Sequence, residues 1–528
     1  FWLKLCWLKL SRSFLLPLVV PAAALSQEMP LWGKGHHGGR HWPEVESWRR
    51  QWPGVLLFLQ LHCLGAQAGS REDSYHTALR SGLTAALRAV PFDRSLLGGL
   101  GGFHVDSAAV QEALVSLSRA TKLRPGSADA SAALGAVLGI FEGGATKTAE
   151  ALLVQALEAE PRHYQAHLAL GLLRSDISAL REATRLHPAG ADAWLALGRA
   201  GEGIAAVEAT GALRRALALR PLSRTVHANL GVLLRRQGQE AESMQIFEGA
   251  AAAGIWQHPL QRPQAVFWPE LRSAPLFGAE LEAAWPWCLQ AREMAESAVE
   301  ELALGAEIRK ARVEHPPQQD NLGMSLSYWV QKCEPGVGCN FKLETTDVPD
   351  RGEGRWAEYT VWDPRRHDPA MCTWEQFPGA CELVMRLRRA RVPVTRLSIT
   401  EVYGPRTLIP RHHSPQQGRL RLLCPLDVAQ DSRSRLVFPG AAELSYGVSE
   451  KGHCWWFDES YEHELHYEGT APRASLILDV PHPQLLSASP PLEPLLEAPG
   501  VPDDRWQLLW GALSEMAVGG GNTSSPVT

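Results

Sequence analysis

Five prolines divide the first half of the chain at nearly regular intervals. Pro91, Pro125, Pro161, Pro188 and Pro221 each stand five residues after an alanine (Ala86, Ala120, Ala156, Ala183, Ala216). Each also stands ten residues before a glycine (Gly101, Gly135, Gly171, Gly198, Gly231), and every one of these glycines follows a leucine. The intervals are 34, 36, 27 and 33 residues. Proline has no N–H and clashes with the preceding turn, so it closes a helix. Small Ala and Gly at fixed offsets let the two helices of a hairpin approach closely while leucines fill the seam. The pattern predicts an α-solenoid over about 72–252, whose units bury their apolar faces against one another and whose concave side can hold a peptide. The segment "GGLGGFH" (98–104) is too rich in glycine for a good helix and the 27-residue interval is short, so the first and third units are degenerate.

This spacing resembles the tetratricopeptide repeat. It accounts for less than half of the 528 residues, and a chain of that length exceeds what one core organises, so a second domain is expected. With 45% hydrophobic residues, 21% charged residues and a formal net charge of -5, nothing suggests a nucleic-acid partner. The basic run "MRLRRAR" (385–391) reads as a solvated face. After residue 255 the texture changes to the Pro- and Trp-rich "WQHPLQRPQAVFWPELRSAPLF", followed by a helical stretch at 280–310. From about 325, short β-branched and aromatic runs broken by Pro, Gly and Asp predict antiparallel strands. These are "WAEYTVW" (356–362), "VTRLSITEVY" (394–403), "RLRLLCPL" (419–426), "HCWWFD" (453–458) and "ASLILDV" (474–480). Two facing four-stranded sheets would place His412 at the start of one strand and His463 just after another. The fold class expected is therefore multidomain α + β, a helical solenoid followed by a double-stranded β-helix of the jelly-roll, cupin-like kind.

The amino end carries "FLLPLVVPAAAL" (14–25) and "VLLFLQLHCLGA" (55–66), both too short to span a bilayer comfortably. The second follows Arg49 and Arg50 and precedes Ala66-Gln67-Ala68, the small-residue spacing that a signal peptidase reads. Residues 1–68 are thus expected to be a leader, as a signal peptide or a signal anchor; the competing reading is a buried helix. Cys333/Cys339 and Cys372/Cys381 are close enough in sequence to be bridged in an oxidising compartment. Asn522-Thr523-Ser524 is a glycosylation sequon within 485–528, read as a C-terminal helix and disordered tail.

Three ordered segments carry a second resemblance. "HHSPQQGRLRLL" (412–423), "FDESYEHEL" (457–465) and "PRASLILDVPHP" (472–483) are similar to the signature segments of the aspartyl/asparaginyl β-hydroxylase family, with the "LQRP" segment resembling the opening of its catalytic domain. The likeness spans about 255–484. The helical block before it matches the architecture of the family's animal members, which sit in the endoplasmic reticulum. The resemblance implies an enzyme using Fe(II), O2 and 2-oxoglutarate to hydroxylate the β-carbon of Asp or Asn in polypeptides, yielding succinate and CO2.

Mapped residue by residue, the resemblance makes His412 and His463 the metal ligands, and neutral imidazoles suit Fe(II). Of the two adjacent histidines, His412 and not His413 lies three residues before Pro415. Side chains of neighbouring residues on an extended segment point to opposite faces, which also favours one of the two. Two residues after His412, where many oxygenases of this broad class have Asp or Glu, stands Ser414. That matches the family, in which two histidines are the protein ligands. Arg473 is implied to pair with the distal carboxylate of 2-oxoglutarate, a bidentate task suited to a planar guanidinium. Ser398 is implied to supply a hydroxyl to the same carboxylate, and Arg421 to sit beside the metal-chelating end. Where the family commonly has a histidine two residues after that arginine, this chain has Leu423. The rival reading is a non-catalytic protein-binding scaffold with an inactive jelly roll. The expected compartment is the endoplasmic reticulum lumen or secretory pathway, possible membrane anchoring resting on the amino end alone; a cytoplasmic site is the alternative.

Overall fold

A helix that must pack tightly on its neighbour needs a residue without a side chain at the crossing. The computed structural model places the repeat glycines at such crossings. It describes residues 53–496 except 91, 94–101, 104, 142–145, 201–204, 265, 315–328, 335–337, 344–352, 364–371, 373–375 and 415. The apolar stretch 14–25, Gly101 and the sequon at 522–524 lie outside the described residues.

The amino-terminal region is helical: α1 Pro53–Arg88, α2 Ser107–Leu123, α3 Ala128–Phe141, α4 Thr146–Ala159, α5 Tyr164–Arg174, α6 Ile177–Leu186, α7 Ala191–Arg199, α8 Ala206–Leu219, α9 Arg224–Arg236 and α10 Glu240–Ala252. Consecutive helices pair as hairpins. A Cβ on Gly171 would meet Leu180 across the α5–α6 seam at 2.6 Å, and one on Gly135 would meet the carbonyl of Ala149 across α3–α4 at 2.9 Å. Gly198 faces Leu213 and Gly231 faces the ring of Phe247 in the same way. The paired alanines Ala120, Ala156, Ala183 and Ala216 are fully buried near the ends of α2, α4, α6 and α8, and the prolines follow those ends. The first hairpin differs from the sequence reading. It is α1–α2, with Gly82 against Leu117, and the expected Gly101 plays no described part. Residues 55–66 fall within α1, and among the described residues no helix is long and apolar enough to cross a membrane.

Gly231→Ala tests the crossing. Alanine is favoured over glycine in a helix by about 0.8–1.0 kcal/mol, but overpacking a buried site costs about 1–3 kcal/mol. The second effect wins, so the expected outcome is a lower unfolding temperature. Gly249→Ala in α10, where an added Cβ meets nothing within 4 Å, is expected to keep or raise it. Thermal unfolding of the two variants checks the contrast.

The second region is a nearly closed, mainly antiparallel sheet. Its strands are β1 Leu276–Phe277, β2 Trp329–Glu334, β3 Gly338–Leu343, β4 Glu353–Trp362, β5 Arg396–His412, β6 Arg419–Asp427, β7 Arg433–Phe438, β8 Ala442–Tyr446, β9 Trp455–Asp458, β10 His463–Glu468 and β11 Arg473–Pro481. The order is β8-β7-β10-β5-β11-β6-β9-β1, with β4 also on β5 and β2 on both β3 and β4. Strand β5 is 17 residues long and serves both halves of the jelly roll. Residues 396–402 pair with β11, and residues 406–412 pair with β10.

Alternation sorts the side chains. Leu397, Ile399, Leu420, Leu422, Leu476 and Leu478 belong to one apolar cluster, shared with helices α11 Ala279–Ala284, α12 Pro286–Glu301, α13 Leu304–Glu314 and α14 Pro378–Arg389. The intervening positions Val402, Leu423 and Ile477 belong to a second cluster with Leu436, Phe438 and Phe457, inside the roll. Arg473, Arg421 and Arg419 fall on that inner face. The basic run 385–391 lies at the end of α14, where Arg386, Arg388 and Arg389 occupy its last turn.

Among the described residues two bridges tie this region. Cys372–Cys381 joins the pair expected from spacing, and Cys424–Cys454 links residues 30 apart that sequence reasoning did not pair. Cys333 and Cys339 are register partners on β2 and β3, but their side chains lie outside what is described. The hairpins and the roll are joined by residues 255–277 and by a two-residue pairing of Val266–Phe267 with Leu495–Leu496. Beyond the short helix α15 at Pro483–Ser487 and that strand, the proposed tail lies outside the described residues.

Candidate active site

His412 and His463 face each other across the β5–β10 ladder as register partners, their ring centroids 4.3 Å apart. Their places differ from expectation. His412 ends β5 instead of starting a strand, because the next strand begins only at Arg419, and His463 begins β10. The register shifts between His463 and Leu465, a local bulge that re-aims the side chain at the strand start.

His463 is packed between Phe438 and Phe457, with ring centroids 5.6 and 5.5 Å away. Its Nδ1 lies 2.8 Å from the carbonyl of Tyr461. A carbonyl only accepts, so Nδ1 carries the proton and Nε2 keeps its lone pair, the tautomer a metal ligand needs. Burial first, then the neighbouring His412, holds its pKa well below the usual imidazole value, so the ring is neutral. His413 also borders the cavity, since the strand ends at His412 and alternation no longer separates the two. Its Nδ1 donates to the carbonyl of Ser414 at 3.0 Å. Ser414 uses its N–H on the carbonyl of Glu459 (2.7 Å) and its hydroxyl on the N–H of Gln416 (3.2 Å). Among the described residues no group of three or more His, Cys, Asp or Glu is placed to hold a metal ion.

Both histidines open onto a cavity of about 380 Å³, within the range of ~300–1,000 Å³ for small-molecule sites. Apolar walls come from Leu423, Leu436, Phe457, Leu465 and Ile477. Arg473 lies on the wall and is only 1% exposed. Its Nη1 donates to the hydroxyls of Tyr446 and Ser475, the latter at 3.1 Å, and its guanidinium lies over the Tyr446 and Tyr467 rings. Its Nε is buried without a partner, and among the described residues no carboxylate pairs with it. A buried cation without a counter-ion is costly unless an anion joins it.

Arg421 is in the opposite condition. Its Nε and Nη2 hold the Asp479 carboxylate at 2.7 and 3.0 Å, and Nη2 lies 2.6 Å from Glu459. Arg419 pairs with Glu459 and approaches Asp479 at 3.7 Å. Two cations and two carboxylates thus balance one another. Burial alone would raise the pKa of Asp479, but Arg421 and Arg419 hold it far below the usual carboxylate range. Glu462 is likewise held low by Arg262 and Arg235 against the pull of burial. A depressed folded-state pKa stabilises the fold above the unfolded carboxylate value, about 4, and that contribution is lost as pH falls through the folded value. Unfolding free energy from urea titrations is expected to decline as pH is lowered from 7 toward acid, and Asp479→Asn is expected to flatten the decline.

Ser398 is fully buried on β5 and its hydroxyl has no partner, but it does not border the cavity. The hydroxyls beside Arg473 are those of Tyr446 and Ser475, which sequence reasoning missed. Ser475 was legible, being two residues from Arg473 on one strand face. Tyr446 comes from β8, a strand not foreseen. Glu459 and Asp479 were visible inside the motif segments, but their pairing needs the fold.

A search of the curated proteins finds no match. Similar solved structures include "Crystal structure of MamA protein" (19% identity, 28% of this chain and 82% of that chain, TM-score 0.25). Another is "Functional Characterization of Pseudomonas Aeruginosa pilF" (20% identity, 35% and 78%, TM-score 0.29). The family model described as aspartyl/asparaginyl beta-hydroxylase matches residues 338–483, beginning later than the likeness read from sequence. The stretch containing the facing histidines and Arg473 is therefore a domain of the aspartyl/asparaginyl β-hydroxylase family.

Proposed function

We propose that this domain is a 2-oxoglutarate- and Fe(II)-dependent dioxygenase that hydroxylates the β-carbon of Asp or Asn in polypeptide substrates. The observation that carries the reading is Arg473, a buried cation lacking a carboxylate partner among the described residues, on the wall of the cavity that the two histidines border.

The residues present fit the implied metal and cosubstrate. His412 and His463 would hold Fe(II), the second with its free Nε2 fixed by the Tyr461 carbonyl. When bound, the metal supplies the redox chemistry that couples decarboxylation of 2-oxoglutarate to insertion of one oxygen atom into a C–H bond. Arg473, with the hydroxyls of Tyr446 and Ser475, binds the distal carboxylate of the cosubstrate. Arg421 is already neutralised by Asp479 and Glu459, so it orients N–H donors without adding net charge. Leu423, Leu436 and Ile477 exclude water and strengthen the charge pairing within. Leu423 offers no hydrogen bond, and this favours the scaffold reading as the second possibility. Incubating the protein with Fe(II), 2-oxoglutarate and a panel of Asp- and Asn-containing peptides separates the two. Metal-dependent succinate supports the enzyme, and none from any peptide with folded protein supports the scaffold.

The helical hairpins are the proposed presenters of the polypeptide. We further place the protein in the endoplasmic reticulum lumen or secretory pathway, a reading supported by the two bridges. Translation with microsomes is expected to give protection from added protease. Full accessibility together with free thiols at Cys372 and Cys381 would count against it.

A further inference from the structure

Glu462 immediately precedes His463 and is 1% exposed. Its carboxylate receives Nη1 and Nη2 of Arg262 at 2.6 and 3.1 Å and Nη1 of Arg235, both arginines being buried as well. Arg235 belongs to α9. Arg262 lies with its guanidinium 3.5 Å from the centroid of Phe247, which belongs to α10. The backbone follows the same path, with Glu462 N–H donating to the Leu260 carbonyl at 2.7 Å and Arg262 N–H to that of Ser460 at 3.2 Å. The other histidine has a parallel tie. Arg411, immediately before His412, lies 3.0 Å from Glu240 at the start of α10 and 3.3 Å from Glu464.

We infer that the terminal helical hairpin, α9–α10, is a positioning element of the histidine pair, acting through Glu462 on His463 and through Arg411 on His412. The inference rests on the reading of these histidines as metal ligands. Simple docking of one region on another is served as well by apolar contact, because a buried ion cluster is often no more stable than hydrophobic residues of like volume. What a buried carboxylate between two guanidinium groups adds is a fixed position, since moving it strands a charge. The residue after it inherits that position.

The test is titration of the metal-free full chain with Co(II), read by its visible absorption. Arg235→Met and Glu462→Gln are each expected to weaken Co(II) binding about tenfold, as loss of supporting contacts around metal ligands does, and to change the absorption bands. Gly198→Ala, a packing defect in α7–α8, is expected to lower the unfolding temperature with Co(II) affinity unchanged. Arg411→Glu, which turns the pair with Glu240 into a repulsion, is expected to weaken binding as well. Wild-type affinity and spectrum in folded Arg235→Met and Arg411→Glu would overturn the inference. Co(II) binding indifferent to His412→Ala and His463→Ala would instead overturn the metal reading beneath it.

Discussion

His412→Ala and His463→Ala are each expected to abolish Fe(II)-dependent turnover, and His413→Ala to retain most of it. The two sensitive residues are register partners with rings 4.3 Å apart, while His413 follows the end of the strand. On the proposed assignment, removing one of the two imidazoles leaves the metal a single histidine ligand, and Ser414 stands where many oxygenases of this broad class carry a carboxylate. His413 borders the same cavity, so its dispensability is a real test of register and not a foregone result. Steady-state succinate formation, paired with metal titration, reads it. An inactive His413→Ala with an active His412→Ala would move the ligand by one residue.

The second large effect is expected from Arg473→Met. Methionine keeps much of the bulk and removes the charge, leaving the incoming carboxylate to face Tyr446 and Ser475 alone. Truncating one partner of a buried charge pair costs about 2–5 kcal/mol, and at 1.4 kcal/mol per tenfold that is roughly a 30- to 4,000-fold loss in 2-oxoglutarate affinity. The free protein should meanwhile gain or keep stability, because an uncompensated buried cation has been removed. Opposite signs in ligand binding and unfolding temperature are the signature of a residue held for binding. Calorimetric titration with 2-oxoglutarate, beside thermal unfolding of the free protein, measures both. Unchanged binding would remove the assignment.

What the chain discloses before it folds depends on the range of the interaction. The helical hairpins are legible because proline stops and small residues at helix crossings recur at fixed offsets. The crossing glycine of the first hairpin, Gly82, follows Ser81 instead of leucine and so escapes the Leu-Gly pattern, while Gly101 lies outside the described residues. Strands β4, β5, β6, β9 and β11 are legible as apolar or alternating runs. Strands β8 and β10 are not, because "AELSY" and "HELHYE" alternate too few apolar residues with charges to register. At the site, the histidines and Arg473 are carried by local segments. The balancing of Arg421 by Asp479 and Glu459, the Tyr446 hydroxyl, the Cys424–Cys454 bridge and the grip of Arg235 on Glu462 join residues 27 to 227 positions apart. No spacing rule reaches that far, so only the closed sheet brings them together. Ser398 shows the converse, a local match that the strand places in the interior away from the cavity.

The most direct measurement is the fate of isotopically labelled O2 supplied to the Fe(II)-loaded protein with 2-oxoglutarate and a peptide that supports succinate formation. Mass spectrometry is expected to find one labelled oxygen in succinate and one on the β-carbon of an Asp or Asn in the peptide. Absence of label from both, with folded and metal-loaded protein, would contradict the dioxygenase account.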